Sequence, residues 1–331
     1  MLQWDDDLRV GGTDLWLDGR VGRGVSFVSH AHSDHIAVHG RSIATPATAA
    51  LAQHRLGEMV MTEVPYGEWY QFDAETRLKI VPAGHVLGSG MILVERGEDQ
   101  LLYTGDFTLQ RALTAEPALV CRADELVMET TYGLPLFRFP ERKVVVEQLL
   151  EIVEGAFRQG RQPIVLGYSL GKAQEITRIL TDAGHAVTLH GAILNLTEVG
   201  RKHGLEVGKV QKYLQKNFHG AAAMDLRERG ILVAPPYVAR TSFVSAFQNP
   251  VTIMMTGWAL LKGAKFRYGV DHCLPLSDHA DFAGLVEMVE RVGPKKVWTH
   301  HGYVREFAEY LRGRGIEAEP AKGDGQMMFG W

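Results

Sequence analysis

Four ionisable side chains stand within six residues of the segment Ser29-His30-Ala31-His32-Ser33-Asp34-His35, a His-x-His-x-Asp-His pattern closing a β-rich run. Neutral imidazoles and carboxylates suit Zn²⁺ and similar ions, and such a cluster does not fit a hydrophobic core. In an extended or tightly turned segment His30 and His32 project to one side, while Asp34 and His35 reach a second point. One loop can therefore begin two metal sites. A dinuclear site needs more ligands, and the chain offers them at other strand ends: His85 in PAGHVLGSG, Asp106 closing QLLYTGD, and His301 in VWTHHGY. A carboxylate at Asp106 could bridge two ions, and the glycines around His85 let backbone approach a crowded centre.

The elements that must position these residues are short. Up to Gly133 the chain alternates β-rich runs with turns: LWLDG, GVSFVSHAH, RLKIVPAGH, GMILVERG, QLLYTGDF and ELVMETTYG. TPATAALAQHRLG reads as a helix closed by Gly57. Beyond Glu141 the texture changes to a repeated strand-helix pattern, which predicts a compact α/β unit with a mostly parallel sheet. There VVVEQLLEIVEGAFRQG and GKAQEITRILTDAG read as helices, and QPIVLGYSL, HAVTLH, GILVAPPYV and VTIMMTGWAL as strands. EVGRKHGLEVGKVQKYLQKNF is basic and predicted helical in its second half. A polar loop, LSDHADF, then leads into helix, strand and helix again. At ~150 residues per domain, 331 residues correspond to about two domains.

In order and context, His30, His32, Asp34, His35, His85, Asp106 and His301 resemble the ligand set of the metallo-β-lactamase superfamily. The resemblance implies an α/β fold, an αββα sandwich, with His30, His32 and His85 on one metal. It places Asp34, His35 and His301 on the other, with Asp106 bridging. Asp18, ending LWLD, resembles the first-motif acid that orients loop and ligands, with Asp14 a less well placed candidate. Four further features resemble the β-CASP nuclease subfamily: Glu129 in METTYG, GYSLGKAQE, His279 in LSDHADF, and His301-Gly302. They imply an inserted α/β β-CASP domain over residues 134–275, between metallo-β-lactamase segments 1–133 and 276–331.

In chemical terms, two metals generate a hydroxide and polarise a phosphoryl group. His279 can stabilise the transition-state charge or protonate the leaving oxygen, and Glu129 would hold its imidazole in one tautomer. The expected catalytic set is Asp34, His279, Glu129 and Asp18. Ser169, Gly171 and Lys172 open a predicted helix and form a candidate phosphate-binding corner. Arg201, Lys202, His203, Lys209, Lys212 and Lys216 form a basic stretch suited to a nucleic-acid backbone or to a solvated helix face. Trp258 reads as core.

The compact length and the wording of the motifs are similar to the bacterial DNA ligase-associated exonucleases, whose core is of the Pso2/Artemis type. That resemblance implies a DNA exonuclease of repair using two divalent ions, zinc by preference with manganese as an alternative. It also implies functional association with a DNA ligase and a helicase. His301 is a feature shared with RNA-directed members, so an RNA-processing β-CASP ribonuclease is the alternative, and a small-molecule metallo-hydrolase a further one.

Composition bounds the remainder. Two cysteines are too few for a disulfide scaffold, no run approaches the ~20 apolar residues of a membrane helix, and the N-terminus is acidic. A cytoplasmic protein with no membrane contact is expected. The net charge of -4 argues superficially against nucleic acid, but residues 134–275 hold 18 Lys and Arg against 11 Asp and Glu. The acidic excess lies in the flanking segments that carry the metal motifs.

Overall fold

A computed structural model describes residues 1–214, 230–247 and 249–321. The chain forms two compact units, one from residues 1–138 with 278–331 and the other from residues 139–277. These limits fall a few residues beyond those read from the motifs. No helix among the described residues is long and apolar enough to cross a membrane.

In the first unit, β1 (Leu2–Trp4), β2 (Leu8–Val10), β3 (Leu15–Leu17), β4 (Val25–Phe27), β5 (Arg41–Ala44) and β6 (Met61–Glu63) form one sheet in sequence order. Helix α1 (Pro46–Leu56) packs on β5 and β6. Thr45 caps it by accepting from the Thr48 N–H, and Gly57 closes it at φ 88°. A second sheet begins with β7 (Trp69–Gln71), β8 (Thr76–Pro82), β9 (Gly90–Arg96), β10 (Asp99–Tyr103) and β11 (Glu125–Thr130).

The second unit is one parallel sheet between helices. Its strands are β12 (Gln162–Leu166), β13 (Val187–Leu189), β14 (Val210–Lys212), β15 (Ile231–Ala234), β16 (Pro250–Met255) and β17 (His272–Leu274), in the order β14-β13-β15-β12-β16-β17. Helices α2 (Arg142–Arg158), α3 (Lys172–Asp182) and α4 (Gly191–Arg201) accompany it. Helix α2 presents Val145, Leu149, Val153 and Ala156 at helical spacing to Val165, Val233, Val251 and Ile253. The basic stretch departs from expectation. Its first residues end α4, and Val210–Lys212, where helix was expected, is a strand paired with β13, while residues 215–218 of the expected helix lie outside the described residues. Gly204 and Gly208, at φ 90° and 72°, break the helix between them. Lys216 lies outside the described residues.

The chain then returns to the first unit with α5 (Phe282–Val292), β18 (Lys296–Gly302), α6 (Val304–Gly313) and β19 (Glu317–Pro320). The second sheet is completed in the order β19-β18-β11-β10-β9-β8-β7. Its central strands place apolar side chains on both faces, because both faces are covered there. Ile80, Ile92, Val94, Leu101, Tyr103 and Val127 meet Leu15, Leu17, Phe27 and Ile43 of the first sheet. Their neighbours Val81, Met91, Leu93, Leu102, Leu126 and Met128 meet Phe282, Leu285, Met288, Phe307 and Leu311 of α5 and α6. The result is the expected helix-sheet-sheet-helix layering. Fully burying each such side chain contributes roughly 1.5–3 kcal/mol.

Candidate metal centre

The strand ends of the two sheets converge on one buried cluster. His30 and His32 follow β4, His85 follows β8, Asp106 follows β10, and His301 sits near the end of β18. The Nε2 atoms of His30 and His85 lie 3.0 and 3.2 Å from His32 Nδ1. Ligand nitrogens around a tetrahedral zinc with ~2.0–2.1 Å bonds would be roughly 3.3 Å apart. Asp106 Oδ2 stands 3.4 Å from His30 Nε2, 3.4 Å from His35 Nε2, 3.8 Å from His85 Nε2 and 4.0 Å from His279 Nε2. One carboxylate oxygen thus faces both candidate sets. On its second side, Asp34 Oδ2 lies 3.7 Å from His35 Nε2, and the His301 ring stacks on His35 with centroids 5.2 Å apart.

The tautomers needed for ligation are set from behind. His85 Nδ1 is 2.9 Å from the Asp278 carbonyl and His35 Nδ1 is 2.8 Å from Asp18 Oδ2, so both donate outward and turn Nε2 to the centre. Asp18, at φ 46°, accepts four hydrogen bonds: from the Ser29 N–H and hydroxyl, from His35, and from the Tyr103 hydroxyl at 2.8 Å. Losing such a buried carboxylate would leave donors unsatisfied at roughly 1–3 kcal/mol each. Asp14 instead accepts from the Trp16 indole, which leaves the orienting role to Asp18. His301 is placed by a bulge: its φ is 53°, and the β11–β18 register shifts where Glu129 opposes His300 and Thr130 opposes Gly302. A Cβ on Gly302 would meet the Thr130 carbonyl at 2.4 Å, so glycine is required there.

Electrostatics agree with a cation site. Burial, followed by the neighbouring rings, holds His30 well below its ordinary value, and burial with His279 pulls His85 down to about 3. Burial with His35 pulls His301 down to about 4. These imidazoles are therefore neutral at pH 7 and offer lone pairs. His35 is raised despite burial, by Asp106 and Asp18, and its Nε2 is a buried atom with no hydrogen-bond partner. An orphaned nitrogen facing a carboxylate and other imidazoles fits a divalent ion, and the donor set as a whole is compatible with one.

His279 stands beside this cluster. Its Nδ1 is 2.9 and 3.0 Å from the two oxygens of Glu129, which also accepts from the Phe107 N–H at 2.9 Å. Burial opposes the charged ring, but Glu129 and then Asp106 push His279 up to about 10. In the metal-free protein, stability from this pair is fully present below the ordinary imidazole pKa of ~6.5 and is lost as pH rises through about 10. NMR titration of the metal-free chain is expected to show His279 charged at pH 8. Glu129→Gln should bring its pKa to or below the ordinary value, and an unshifted titration would contradict the pairing.

All seven candidate ligands, with Asp18, Glu129 and His279, therefore lie in the first unit and cluster together. Ser169, Gly171 and Lys172 lie in the second. Lys172 is buried, the Gly171 N–H donates to Gln174 Oε1 at 2.7 Å, and the Ser169 carbonyl accepts from Gln174 Nε2. A phosphate at this corner would compete with Gln174 for that amide. Trp258 is buried, as its core reading expects. Sequence reasoning gave no role to Ser29, Tyr103 or the Asp278 carbonyl. Tyr103 carries a weak signal, a hydroxyl three residues before Asp106 on the same strand end, whereas the carbonyl carries none.

Known proteins similar to this chain are metallo-hydrolases and nucleases, together with one named for a DNA ligase. Residues 263–319 match the Zn-dependent metallo-hydrolase RNA specificity domain. An Opitutus terrae protein named "Probable DNA ligase" is 38% identical over 95% of this chain and 30% of its own length. The Gallus gallus "5' exonuclease Apollo" is 27% identical over 86% of this chain and 60% of its own. A Saccharolobus solfataricus "RNase aCSPSF2" is 27% identical over 62% of this chain and 50% of its own. The chain thus spans 30–60% of the length of these relatives. A solved Enterococcus faecalis protein of unknown function shares the fold, with a TM-score of 0.61 over 91% of this chain and 80% of its own at 16% identity.

Proposed function

The chain belongs to the β-CASP nuclease family of the metallo-β-lactamase superfamily, and on that premise we propose that it is a DNA exonuclease hydrolysing phosphodiester bonds. It would use two divalent ions, zinc by preference and manganese as an alternative. His30, His32 and His85 would hold one, Asp34, His35 and His301 the other, and Asp106 both. The observation that carries this reading is the position of Asp106 Oδ2, within 3.4 Å of His30 Nε2 and His35 Nε2 alike and 4.0 Å from His279.

Bound ions of this kind supply Lewis acidity and lower the pKa of an attacking water. The chain's own residues supply the rest. Asp18 fixes the His35 ring and, through Ser29, the start of the ligand loop. Glu129 keeps the His279 Nδ1 proton turned away from the centre, so that Nε2 faces it. A protonated His279 can then donate to a phosphoryl oxygen as charge develops, or to the leaving oxygen.

DNA is favoured because relatives named for a DNA ligase and a 5' exonuclease match 95% and 86% of the chain, while the Saccharolobus solfataricus relative named as an RNase matches 62%. Functional association with a DNA ligase, in keeping with the name of the Opitutus terrae relative, belongs to the same proposal, together with a helicase partner and a cytoplasmic role in DNA repair. RNA processing is the second reading, favoured by the RNA specificity match over residues 263–319 and by His301 within it. End-labelled DNA and RNA oligonucleotides incubated with Zn²⁺ or Mn²⁺ separate the two. A shortening ladder on DNA is expected. Cleavage of RNA with DNA left intact would overturn the DNA assignment.

A further inference from the structure

Between β10 and β11, residues 104–124 form neither helix nor strand, although Ala112 and Thr114 within them are buried. A segment of that length without regular structure, inside a compact unit, is commonly functional. This one carries Asp106 near its start and then lies along the turn that carries His85. The Thr108 N–H donates to the Ala83 carbonyl at 3.1 Å, and the Leu119 N–H donates to the Pro82 carbonyl at 3.0 Å. A Cβ on Gly84, at φ 83°, would meet the Thr108 carbonyl at 2.3 Å and Ala118 Cβ at 3.3 Å, so the two stretches pack backbone to backbone.

Through Glu116 the segment also holds the far end of the turn. Glu116 is half-buried, and its Oε2 accepts from the Gly88 N–H at 3.1 Å. The Gly88 carbonyl accepts from the hydroxyls of Thr45 at 2.6 Å and Thr48 at 2.8 Å, both at the start of α1. Ser89 closes the turn on itself. Its hydroxyl accepts from the His85 and Val86 N–H groups at 3.2 Å each, and its carbonyl accepts from the Tyr66 hydroxyl at 2.9 Å. Both backbone groups of Gly88 are thus clamped, and the carboxylate supplies the stronger kind of bond, about twice a neutral one.

We propose that Glu116 is a positioning residue for His85, holding the backbone of that ligand in place for the ion it would share with His30 and His32. The inference deepens the two-ion reading of the centre and rests on it. His85 needs two things to present Nε2: a partner for Nδ1, which the Asp278 carbonyl provides at 2.9 Å, and a fixed backbone. Glu116 serves the second. The remaining ligands are fixed elsewhere. Ser29, which precedes His30, is tied to Asp18, as is His35, and His301 is set by the β18 bulge. Loss of Glu116 therefore loosens one ligand of one ion.

The test compares the full chain with Glu116→Ala and Glu116→Gln, the second keeping an oxygen for the Gly88 N–H. In the metal-free protein, heteronuclear NMR should show the His85 ring in one tautomer, protonated on Nδ1, in the wild type and Glu116→Gln, and averaged between forms in Glu116→Ala. Competition with a chromogenic zinc chelator should then find one of the two ions held about 10–100-fold less tightly in Glu116→Ala, with the other unchanged and Glu116→Gln close to the wild type. The melting temperature of each variant reports folding separately. Equal weakening of both ions in Glu116→Ala, or a lowered melting temperature with both ions held as in the wild type, would make the role merely structural and overturns the proposal. An unchanged His85 ring with unchanged zinc binding also overturns it, while the two ions of the wild type leave the metal reading standing. If the wild type takes up no zinc but the His85 ring still loosens in Glu116→Ala, the positioning is supported and the metal reading falls.

Discussion

Asp106→Ala is expected to abolish cleavage, lowering the rate by at least about 10³-fold, and to strip the protein of bound metal. The magnitude follows from position. Asp106 Oδ2 is the one carboxylate oxygen within 4.0 Å of the inward nitrogens of His30, His35, His85 and His279 among the described residues. Its own acid is held well below the usual carboxylate range, because His35 and His279 outweigh the cost of burial. Removal therefore takes a fixed negative charge from the point where cations would collect. A several-kcal/mol loss of charge stabilisation corresponds to roughly three decades of rate. Metal analysis of the purified variant, with cleavage of a labelled oligonucleotide, checks both parts. A variant that keeps its metal and cleaves within tenfold of the wild type would show that Asp106 does not join the two sets.

His279→Ala is expected to behave differently, with metal content near the wild-type level but cleavage slowed by about 10²–10⁴-fold. His279 Nε2 is farther from Asp106 than His30 or His35, and its other nitrogen is given to Glu129. That geometry belongs to a proton donor held in one orientation. Glu129→Gln should cost less, about 10–100-fold, since the ring remains but its orientation and proton affinity loosen. Single-turnover rates with saturating metal are the measurement. Loss of metal in His279→Ala would make the residue a ligand, and an unchanged rate would remove it from the chemistry.

How much of this was legible in the sequence follows from what each residue depends on. The ligand loop was readable because His30, His32, Asp34 and His35 cluster types that neither cores nor turns collect. The long strands were readable because β8 to β11 are covered on both faces and so carry apolar runs such as Met91–Val94, Leu101–Tyr103 and Leu126–Met128. The three-residue strands β1, β2, β6 and β7 and the terminal β19 were not. Glu317–Pro320 is as polar as a loop, and only pairing with β18 makes it a strand. Val210–Lys212 was read as helix and is a strand, because charge marked the segment while Gly204 and Gly208 set the backbone before it. Tyr103 and Ser29 were missed because their partner, Asp18, comes from another strand and meets them only in the packed fold.

The pairing of β11 has a consequence for synthesis. In the finished protein it lies between β10 and β18. As the chain leaves the ribosome, β18 does not exist until all of residues 139–277 have been made. At ~5–20 residues per second, Leu126, Val127 and Met128 would wait on the order of ten seconds or more on a bare, apolar strand edge. His279 and His301 arrive after the same delay, so the nascent chain holds His30, His32, His85 and Asp106 before it holds the residues that complete the centre. During the interval between those two events β11 has one strand neighbour in place of two, and the candidate centre holds only part of its ligand set.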